Sequence, residues 1–221
     1  MVTTKKHKYS RKNTLYKTDT LVFVDDNFKE NIEPFRKHLP SVKSILVPNK
    51  NKISRKKTNN KLEHELIRLK YNSKSIGQGI SIKNINKIIN WSNQINTKPR
   101  TILFDWDKTI SIVGGIWLPD KNKNNYSVID AAHYFSGTYE RFYALQKMFL
   151  ELHKHNITCY IFTNNPYGSK LINSENFYYF LKIVQVLAPN LTENNIIFGN
   201  GNKVKTFKEN KVLMDLYRSI S

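Results

Sequence analysis

Two aspartates separated by one residue follow an apolar run near the middle of the chain. The run covers residues 101–104, and the carboxylates are Asp105 and Asp107. Such a run predicts a buried strand, and ligands of open α/β sheets bind just beyond the carboxyl ends of the strands. One aspartate can attack phosphorus while the other transfers the proton. The pair therefore predicts phosphoryl chemistry.

Polar clusters also end two other predicted strands. Residues 20–24 form an apolar run that is followed by Asp25 and Asp26, and residues 157–162 precede Thr163 and Asn164. Each cluster alone is typical of a turn or a helix cap. Because the carboxyl ends of parallel strands lie at one edge of a sheet, we expect the three clusters to converge on a single site.

Strands and helices alternate along the rest of the chain. Two more short strands are predicted at 44–47 and 195–198, and residues 110–137 predict a turn-rich hairpin and loop over the site. Helices are predicted at 28–38, 62–69, 82–91 with Ser81 as its cap, 139–154, 174–187 and 207–220. This alternation predicts an α/β fold with a doubly wound, five-stranded parallel sheet.

Positive charge is concentrated in two arms. The 221 residues carry a net charge of +19, and residues 1–17 and 49–61, which contain no acidic residue, supply 12 of these charges. We expect a disordered basic arm over residues 1–18 and one domain over 19–221, interrupted by a basic and helical linker over 49–98. Such arms are typical of solvated tails, and electrostatic attachment to nucleic acid is the next interpretation.

Other features exclude several classes of protein. Cys159 is the only cysteine, which excludes an internal disulfide and favours a reducing intracellular setting: the cytoplasm, or the nucleus or a viral factory if nucleic acid is bound. The sequence predicts neither a membrane span nor a signal peptide.

The richness of the sequence in Asn, Lys and Ile is typical of AT-rich genomes, such as those of large viruses or parasites.

The residue types indicate how phosphoryl transfer would proceed. Oxygen ligands without His or Cys favour Mg²⁺. Asp105 would be the nucleophile that forms an aspartyl-phosphate, and Asp107 would protonate the leaving group and then activate water. Thr163 and the backbone at Asn164 would donate hydrogen bonds to the phosphate, while a lysine neutralises the developing charge. Trp106 is predicted to point into the core.

These residues resemble three motifs of the haloacid dehalogenase (HAD) superfamily of phosphatases. Residues 104–110 are similar to its first motif, 161–165 to its second and 23–27 to its acidic fourth. The resemblance implies that Asp105 and the Asp107 carbonyl bind Mg²⁺ with Asp26 or Asp25, of which Asp26 is preferred. Thr109, Asn164 and Lys208 would contact the substrate phosphate. The third-motif lysine is expected to be Lys211 or Lys208, with Lys203 and Lys205 also open.

The order of the motifs departs from that of the family, because the acidic pair precedes the nucleophile. A circular permutation would explain this order and gives a sheet order of 2-1-3-4-5, with the resemblance covering residues 20–48 and 100–220 and no room for a large cap domain. Bacterial receiver domains have the same order and are the chief rival. Asp107, Thr109 and the extra region after Thr109 favour the phosphatase.

The substrate and even the activity stay open at this level. An open cleft flanked by basic arms favours a phosphate on a macromolecule, first a nucleic-acid end and then a phosphoprotein, whereas small phosphomonoesters remain an alternative. The other reading is a basic nucleic-acid-binding or assembly protein that does no chemistry and whose carboxylates bind only a structural Mg²⁺. No membrane partner is expected.

Overall fold

The computed structural model describes residues 14–48, 77–96, 98–114, 127–172 and 174–220. In these ranges five parallel strands form one sheet in the order β2-β1-β3-β4-β5. The strands are β1 (Leu21–Asp25), β2 (Lys43–Leu46), β3 (Arg100–Phe104), β4 (Ile157–Thr163) and β5 (Ile196–Phe198). The predicted fold class and strand order are therefore confirmed. Residues 1–13 of the predicted arm at 1–18, the arm at 49–61 and the helix at 62–69 lie outside the described residues.

Helices follow each strand along the chain. They are α1 (Glu33–His38), α2 (Ile82–Ser92), α3 (Val128–Ser136), α4 (Tyr139–Lys154), α5 (Ser174–Leu187), α6 (Lys203–Glu209) and α7 (Lys211–Ile220). The single closing helix predicted for 207–220 is wrong, because two helices meet at Asn210, whose side-chain oxygen accepts a hydrogen bond from the Leu213 N–H at 3.1 Å. Asparagine competes with helix continuation in this way and starts a new helix instead.

Apolar cores lie on both faces of the sheet, as a doubly wound fold requires. Leu21 and Phe23 face α1, α6 and α7, whereas Val22 and Val24 face α2 to α5. Because side chains alternate along a strand, Asp25 continues the face of Leu21 and Phe23. The same alternation in and after β3 places Asp105 on that face too.

Part of the predicted linker belongs to the core. In α2 the side chains of Ile85, Ile88 and Trp91 are at most 2% exposed, and the Ser81 hydroxyl caps the helix by accepting from the Asn84 N–H at 3.3 Å. Residues 77–92, which lie within the predicted helical linker, are therefore packed structure. The apolar spacing of α2 already indicated burial, since amphipathic helices bury one face.

The region after the nucleophile strand also differs from its prediction. Residues 128–136 form α3 instead of a hairpin or loop, because Ser127 caps the helix by accepting from the Asp130 N–H at 3.1 Å. Residues 115–126, which hold most of the predicted turns, lie outside the described residues. Within the described ranges, no helix is long and apolar enough to cross a membrane.

The burial of α2 leads to a stability prediction. We expect Ile85→Ala to lower the free energy of unfolding by about 2–4 kcal/mol, because it leaves a cavity under a fully buried side chain. Ile95→Ala is the matched control, since Ile95 is 85% exposed, and should change stability by less than about 0.5 kcal/mol. Urea titrations measure both. Equal small effects would mean that α2 does not contribute to the folded core.

Candidate active site

The loop after β3 doubles back on itself directly after Asp105. Asp107 is extended (φ −65°, ψ 123°), Lys108 is left-handed (φ 56°), and the Ser111 N–H donates to the Trp106 carbonyl at 2.9 Å. Trp106 is 1% exposed and packs edge-on against Phe180, with ring centroids 4.9 Å apart, as its predicted core role requires. The turn thus carries Asp107 on its outer side, next to the buried Asp105.

The loop after β1 fixes Asp25 tightly. Its Oδ1 accepts from the Asn27 N–H at 2.7 Å, and Asn31 Nδ2 donates to both carboxylate oxygens, at 3.1 and 3.0 Å. A single wide helical turn over Phe28–Ile32 returns the chain so that Asn31 lies above Asp25. Asp25 is fully buried, whereas Asp26 is partly exposed. The two members of the acidic pair therefore have different environments.

Lys203 joins the two strand ends. Its Nζ lies 2.7 Å from Asp25 Oδ2 and 2.6 Å from Asp105 Oδ1, and the residue is 2% exposed. Lys203 is the first residue of α6, and the preceding Asn202 caps that helix by accepting from the Lys205 N–H at 3.0 Å. One ammonium group therefore bridges two carboxylates from adjacent strands in a site closed to solvent.

The sequence favoured Lys211 or Lys208 for this role and left Lys203 and Lys205 open. Lys211, Lys208 and Lys205 are exposed, so none of them reaches the carboxylates. The predicted helix began at Phe207, but α6 begins one turn earlier, and residues four apart share a helix face. Lys203 and the buried Phe207 are such a pair. An asparagine cap followed by a lysine one turn before an apolar residue was the signal that could have identified Lys203.

Burial and mutual charge set the protonation of this cluster. Burial raises the pKa of Asp105 well above its usual range; Lys203 opposes that rise, while Asp25 and Asp107 add to it. For Lys203, burial alone would lower the pKa, but the carboxylates of Asp105 and Asp25 outweigh it, so its pKa is raised. Lys203 is consequently charged at neutral pH.

The loop after β4 contributes a third group of side chains. Thr163 is fully buried, and its Oγ1 accepts from the Asn165 N–H at 3.0 Å. Asn165 in turn donates through Nδ2 to Asp107 Oδ1 at 3.2 Å. The structure therefore brings Thr163 and Asp107 to the same edge, as predicted, and adds Asn165 as the residue that orients Asp107. The sequence analysis did not identify that role.

Thr109 contacts the predicted nucleophile directly. Its Oγ1 lies 3.4 Å from Asp105 Oδ2, and the side chain is fully buried. Thr109 was predicted to contact the substrate, and in the structure its hydroxyl contacts the Asp105 carboxylate. The contact is long for a hydroxyl donor, so it orients Asp105 only weakly.

Gly199 allows the connection from β5 to α6 to pass close to the site. Its N–H donates to the Thr163 carbonyl at 2.7 Å. A Cβ at this position would lie 2.3 Å from Asn164 Oδ1 and 2.9 Å from Lys203 Cγ. Asn164 Oδ1 is buried and accepts no hydrogen bond from any residue that the structure describes. Any larger residue at position 199 would displace Asn164 and Lys203 together.

Three carboxylates are spaced as ligands of one metal ion. Asp25, Asp26 and Asp105 each offer an oxygen, and these atoms lie within 4.8 Å of one another. Hard oxygen donors of this kind suit a divalent cation such as Mg²⁺ or Ca²⁺. Both oxygens of Asp25 and both oxygens of Asp105 also accept hydrogen bonds. The described contact of the Asp107 side chain is with Asn165.

An open groove runs beside the site. It encloses about 650 Å³, and its walls include Glu30, His38, Asn202, Lys205 and Lys208. Lys208, which the sequence analysis assigned to substrate binding, therefore lines this groove and does not enter the carboxylate cluster. A second cavity of about 380 Å³ is lined by Ile157 and Thr158 at the amino end of β4, far from the strand ends that carry the carboxylates.

The raised pKa of Asp105 leads to a prediction about stability. Burial, Asp25 and Asp107 disfavour the ionised carboxylate in the folded protein despite Lys203. Below the ordinary aspartate pKa of about 3.9 this cost is absent, and it grows as the pH rises through the raised pKa. We expect metal-free Asp105→Asn to be more stable than wild type by ~1 kcal/mol at pH 7, with the difference shrinking towards pH 4.

Denaturant titrations in the presence of a chelator would measure this difference. Asp25→Asn is the matched control, because Asp25 accepts hydrogen bonds from Asn27, Asn31 and Lys203 and its loss should destabilise the protein at pH 7. A lower stability of Asp105→Asn at pH 7 would mean that the attraction of Lys203 outweighs burial.

Comparisons with known proteins give no relative from which a function could be transferred. No protein-family model, no curated protein and no solved structure matches this chain. The function is therefore inferred from the fold and from the geometry of the carboxylate cluster.

Proposed function

We propose that this protein is a Mg²⁺-dependent phosphomonoesterase that acts through an aspartyl-phosphate on Asp105, as the HAD resemblance implies. The observation that carries the proposal is the buried bridge from Lys203 to Asp105 and Asp25. It holds a carboxylate and a cation together at the edge of the sheet where α/β proteins bind ligands. Asp107, held by Asn165, stands beside this bridge.

The reaction would proceed in two displacements at phosphorus. A carboxylate oxygen of Asp105 attacks, the bond from phosphorus to the ester oxygen breaks, and Asp107 donates its proton to the departing oxygen. Water then attacks the aspartyl-phosphate, Asp107 accepts a proton from that water, and the bond from phosphorus to Asp105 breaks. Phosphate leaves, and both aspartates return to their starting states.

The other residues of the site would bind and orient. Lys203 fixes one oxygen of Asp105 and supplies positive charge where the phosphoryl oxygens gather. Thr163 and the backbone at Asn164 would donate hydrogen bonds to those oxygens. Mg²⁺, held by Asp105 and Asp26 with Asp25 and the Asp107 carbonyl, would offset the charge of the phosphate when bound. The close spacing of the Asp25, Asp26 and Asp105 oxygens supports this ligand set.

A receiver-like phosphate acceptor is the second candidate, because the strand order suits it equally. A receiver needs an acceptor aspartate but no general base beside it. The hydrogen bond from Asn165 Nδ2 to Asp107 Oδ1, at 3.2 Å, favours hydrolysis, since it orients a partly exposed carboxylate next to the nucleophile. The lifetime of the phosphorylated protein distinguishes the two candidates.

We expect release of phosphate from an aryl phosphate to require Mg²⁺ and both aspartates. Asp105→Asn should abolish turnover because the nucleophile is lost, and Asp107→Asn should lower kcat by about 10²- to 10⁴-fold because the acid and base are lost. Steady-state assays with and without a chelator measure both. If the wild-type protein forms a stable phosphoprotein and shows no turnover, the receiver-like candidate is favoured.

The assignment of the lysine is tested in the same assay. Lys203→Met should reduce kcat by about 10²-fold or more, the usual cost of removing a positioned charge from the reacting group. Lys211→Met is the matched control, since Lys211 is exposed and outside the cluster, and it should retain wild-type activity. Full activity in Lys203→Met would remove the bridge as the basis of the proposal. No turnover and no phosphoprotein in wild type would leave the non-enzymatic nucleic-acid-binding or assembly protein.

A macromolecular phosphate, first of all a nucleic-acid end, is the proposed substrate class. The net charge of +19 attracts polyanions. A small phosphomonoester carries only one or two negative charges, so it would gain less from this charge than a polyanion would.

The basic arm provides a test of this substrate class in the full-length chain. We expect replacing Lys5, Lys6, Lys8 and Arg11 with Gln to raise KM for an oligonucleotide with a terminal phosphate about 10-fold at low salt, and to leave KM for an aryl phosphate unchanged. Replacing the exposed Lys83, Lys87, Lys147 and Lys154 with Gln removes the same charge elsewhere and is the control. Equal effects of the two sets would indicate only general electrostatic attraction, and a preference for a phosphopeptide would exclude nucleic acid.

A further inference from the structure

We infer that Arg141 is a positioning residue that holds the turn carrying Asp107 in the geometry needed for water attack; the inference rests on the proposed function. Arg141 lies in the first turn of α4 and is 6% exposed. Its guanidinium donates to four backbone carbonyls: Nε to Ile80 at 2.9 Å, Nη1 to Ser136 at 2.9 Å, and Nη2 to Thr109 at 3.0 Å and Ile110 at 2.6 Å.

Burying the Arg141 guanidinium costs free energy, and packing alone does not offset that cost. Burial lowers the pKa of Arg141 to about 9, so the guanidinium is still protonated at neutral pH. A buried charge is expensive, and well-packed apolar residues of similar volume are often more stabilising. The five-donor guanidinium can satisfy several carbonyls at once, which no apolar residue and no lysine can do in the same geometry. The four bonds are therefore the reason for an arginine here.

Two of the four carbonyls end the turn that starts at Asp105. The turn is fixed at its beginning by β3, where the Asp105 N–H donates to the Val24 carbonyl at 2.9 Å. Arg141 fixes its end at Thr109 and Ile110. Asp107 lies between these two anchors. Arg141 thus acts on Asp107 through the backbone.

The same guanidinium joins the turn to the chain that precedes α2. The Ile80 N–H donates to the Thr109 carbonyl at 2.8 Å, and the Gly77 N–H donates to the Ile112 carbonyl at 2.6 Å. Gly79 is left-handed (φ 61°), and a Cβ there would lie 2.3 Å from Arg141 Nη2. Residues 77–80 therefore pack against the end of the turn, and Arg141 holds both segments in place through hydrogen bonds.

Loss of Arg141 should affect the two chemical steps unequally. Asp105 is held independently, by β3 and by Lys203 at 2.6 Å, so its attack on an aryl phosphate with a good leaving group needs little help. Hydrolysis of the aspartyl-phosphate needs Asp107 as the base for water. A displaced Asp107 would therefore slow the second step and let the phosphorylated protein accumulate.

We expect Arg141→Lys to lower kcat for 4-nitrophenyl phosphate by about 10- to 100-fold, the cost of misplacing a reacting group by about 1 Å. KM should fall in proportion, because the phosphorylated protein accumulates, so kcat/KM should change less than about 3-fold. Acid-quenched samples should contain a hydroxylamine-sensitive phosphoprotein that wild type lacks at steady state. Both signatures distinguish a displaced base from a general loss of folded protein, which would lower activity without accumulating an intermediate.

Arg100 provides a matched control. It is also 6% exposed, and it donates to two backbone carbonyls, Trp91 at 2.8 Å and Ser92 at 2.9 Å. Because Arg100 begins β3, it lies at the opposite end of the sheet from the candidate site. Arg100→Lys should lower stability as well and yet retain kcat. Gly79→Ala displaces the Arg141 guanidinium without removing it, and it should reproduce the accumulation of phosphoprotein if Arg141→Lys does not fold.

The outcomes separate this inference from the proposed function. If wild type turns over and Arg141→Lys and Gly79→Ala behave like Arg100→Lys, the inference is overturned while the phosphatase proposal stands. A rise in KM without a fall in kcat, or a fall in kcat without phosphoprotein, also overturns it. If wild type neither turns over nor forms a phosphoprotein, the proposed function fails, and the inference fails with it.

Discussion

The ion bridge among Asp25, Asp105 and Lys203 is the interaction on which the rest of the site depends. Carboxylates from two adjacent strands face each other in a space closed to solvent, and without Lys203 their repulsion would oppose the packing of β1 beside β3. The bridge also constrains its surroundings. A side chain at Gly199 would collide with Lys203 and Asn164, and Asn31 donates to both oxygens of Asp25, of which Lys203 contacts only Oδ2.

Buried cations recur in the described parts of the chain, and each closes a different junction. Lys203 pairs with carboxylates, whereas Arg141 and Arg100 are bound by backbone carbonyls. Carbonyls at the ends of helices and turns have no partner of their own, and a guanidinium satisfies several of them at once. Arg100 satisfies such carbonyls between α2 and β3, and Arg141 satisfies them between the Asp107 turn and α3. The apolar cores on both faces of the sheet supply the stability that these polar junctions cost.

The sequence predicts those features that have a local signature. Apolar runs and the spacing of apolar residues identified all five strands and the amphipathic helix α2, and the polar residues after three strands identified Asp105, Asp107 and Thr163 as neighbours. Contacts between distant residues leave no such pattern. Lys203 lies 178 residues from Asp25, Arg141 lies 61 residues from Ile80, and Asn165 lies 58 residues from Asp107. An error of one helical turn in the start of α6 was enough to favour Lys211 and Lys208 over Lys203.

The order of the motifs along the chain matters less than the order of the strands in the sheet. The cluster needs β1 beside β3 and β4 on the other side of β3, and any chain that gives this arrangement brings the carboxylates, Thr163 and a lysine after β5 to one edge. A permuted phosphatase and a receiver both satisfy that condition, so topology cannot separate them. The difference must lie in the turn after Asp105, where a phosphatase needs a second carboxylate and a receiver does not. This turn is held at Asp107 by Asn165 and at Thr109 and Ile110 by Arg141. Such support for a turn that only a hydrolase requires is the strongest structural argument for hydrolysis in this chain.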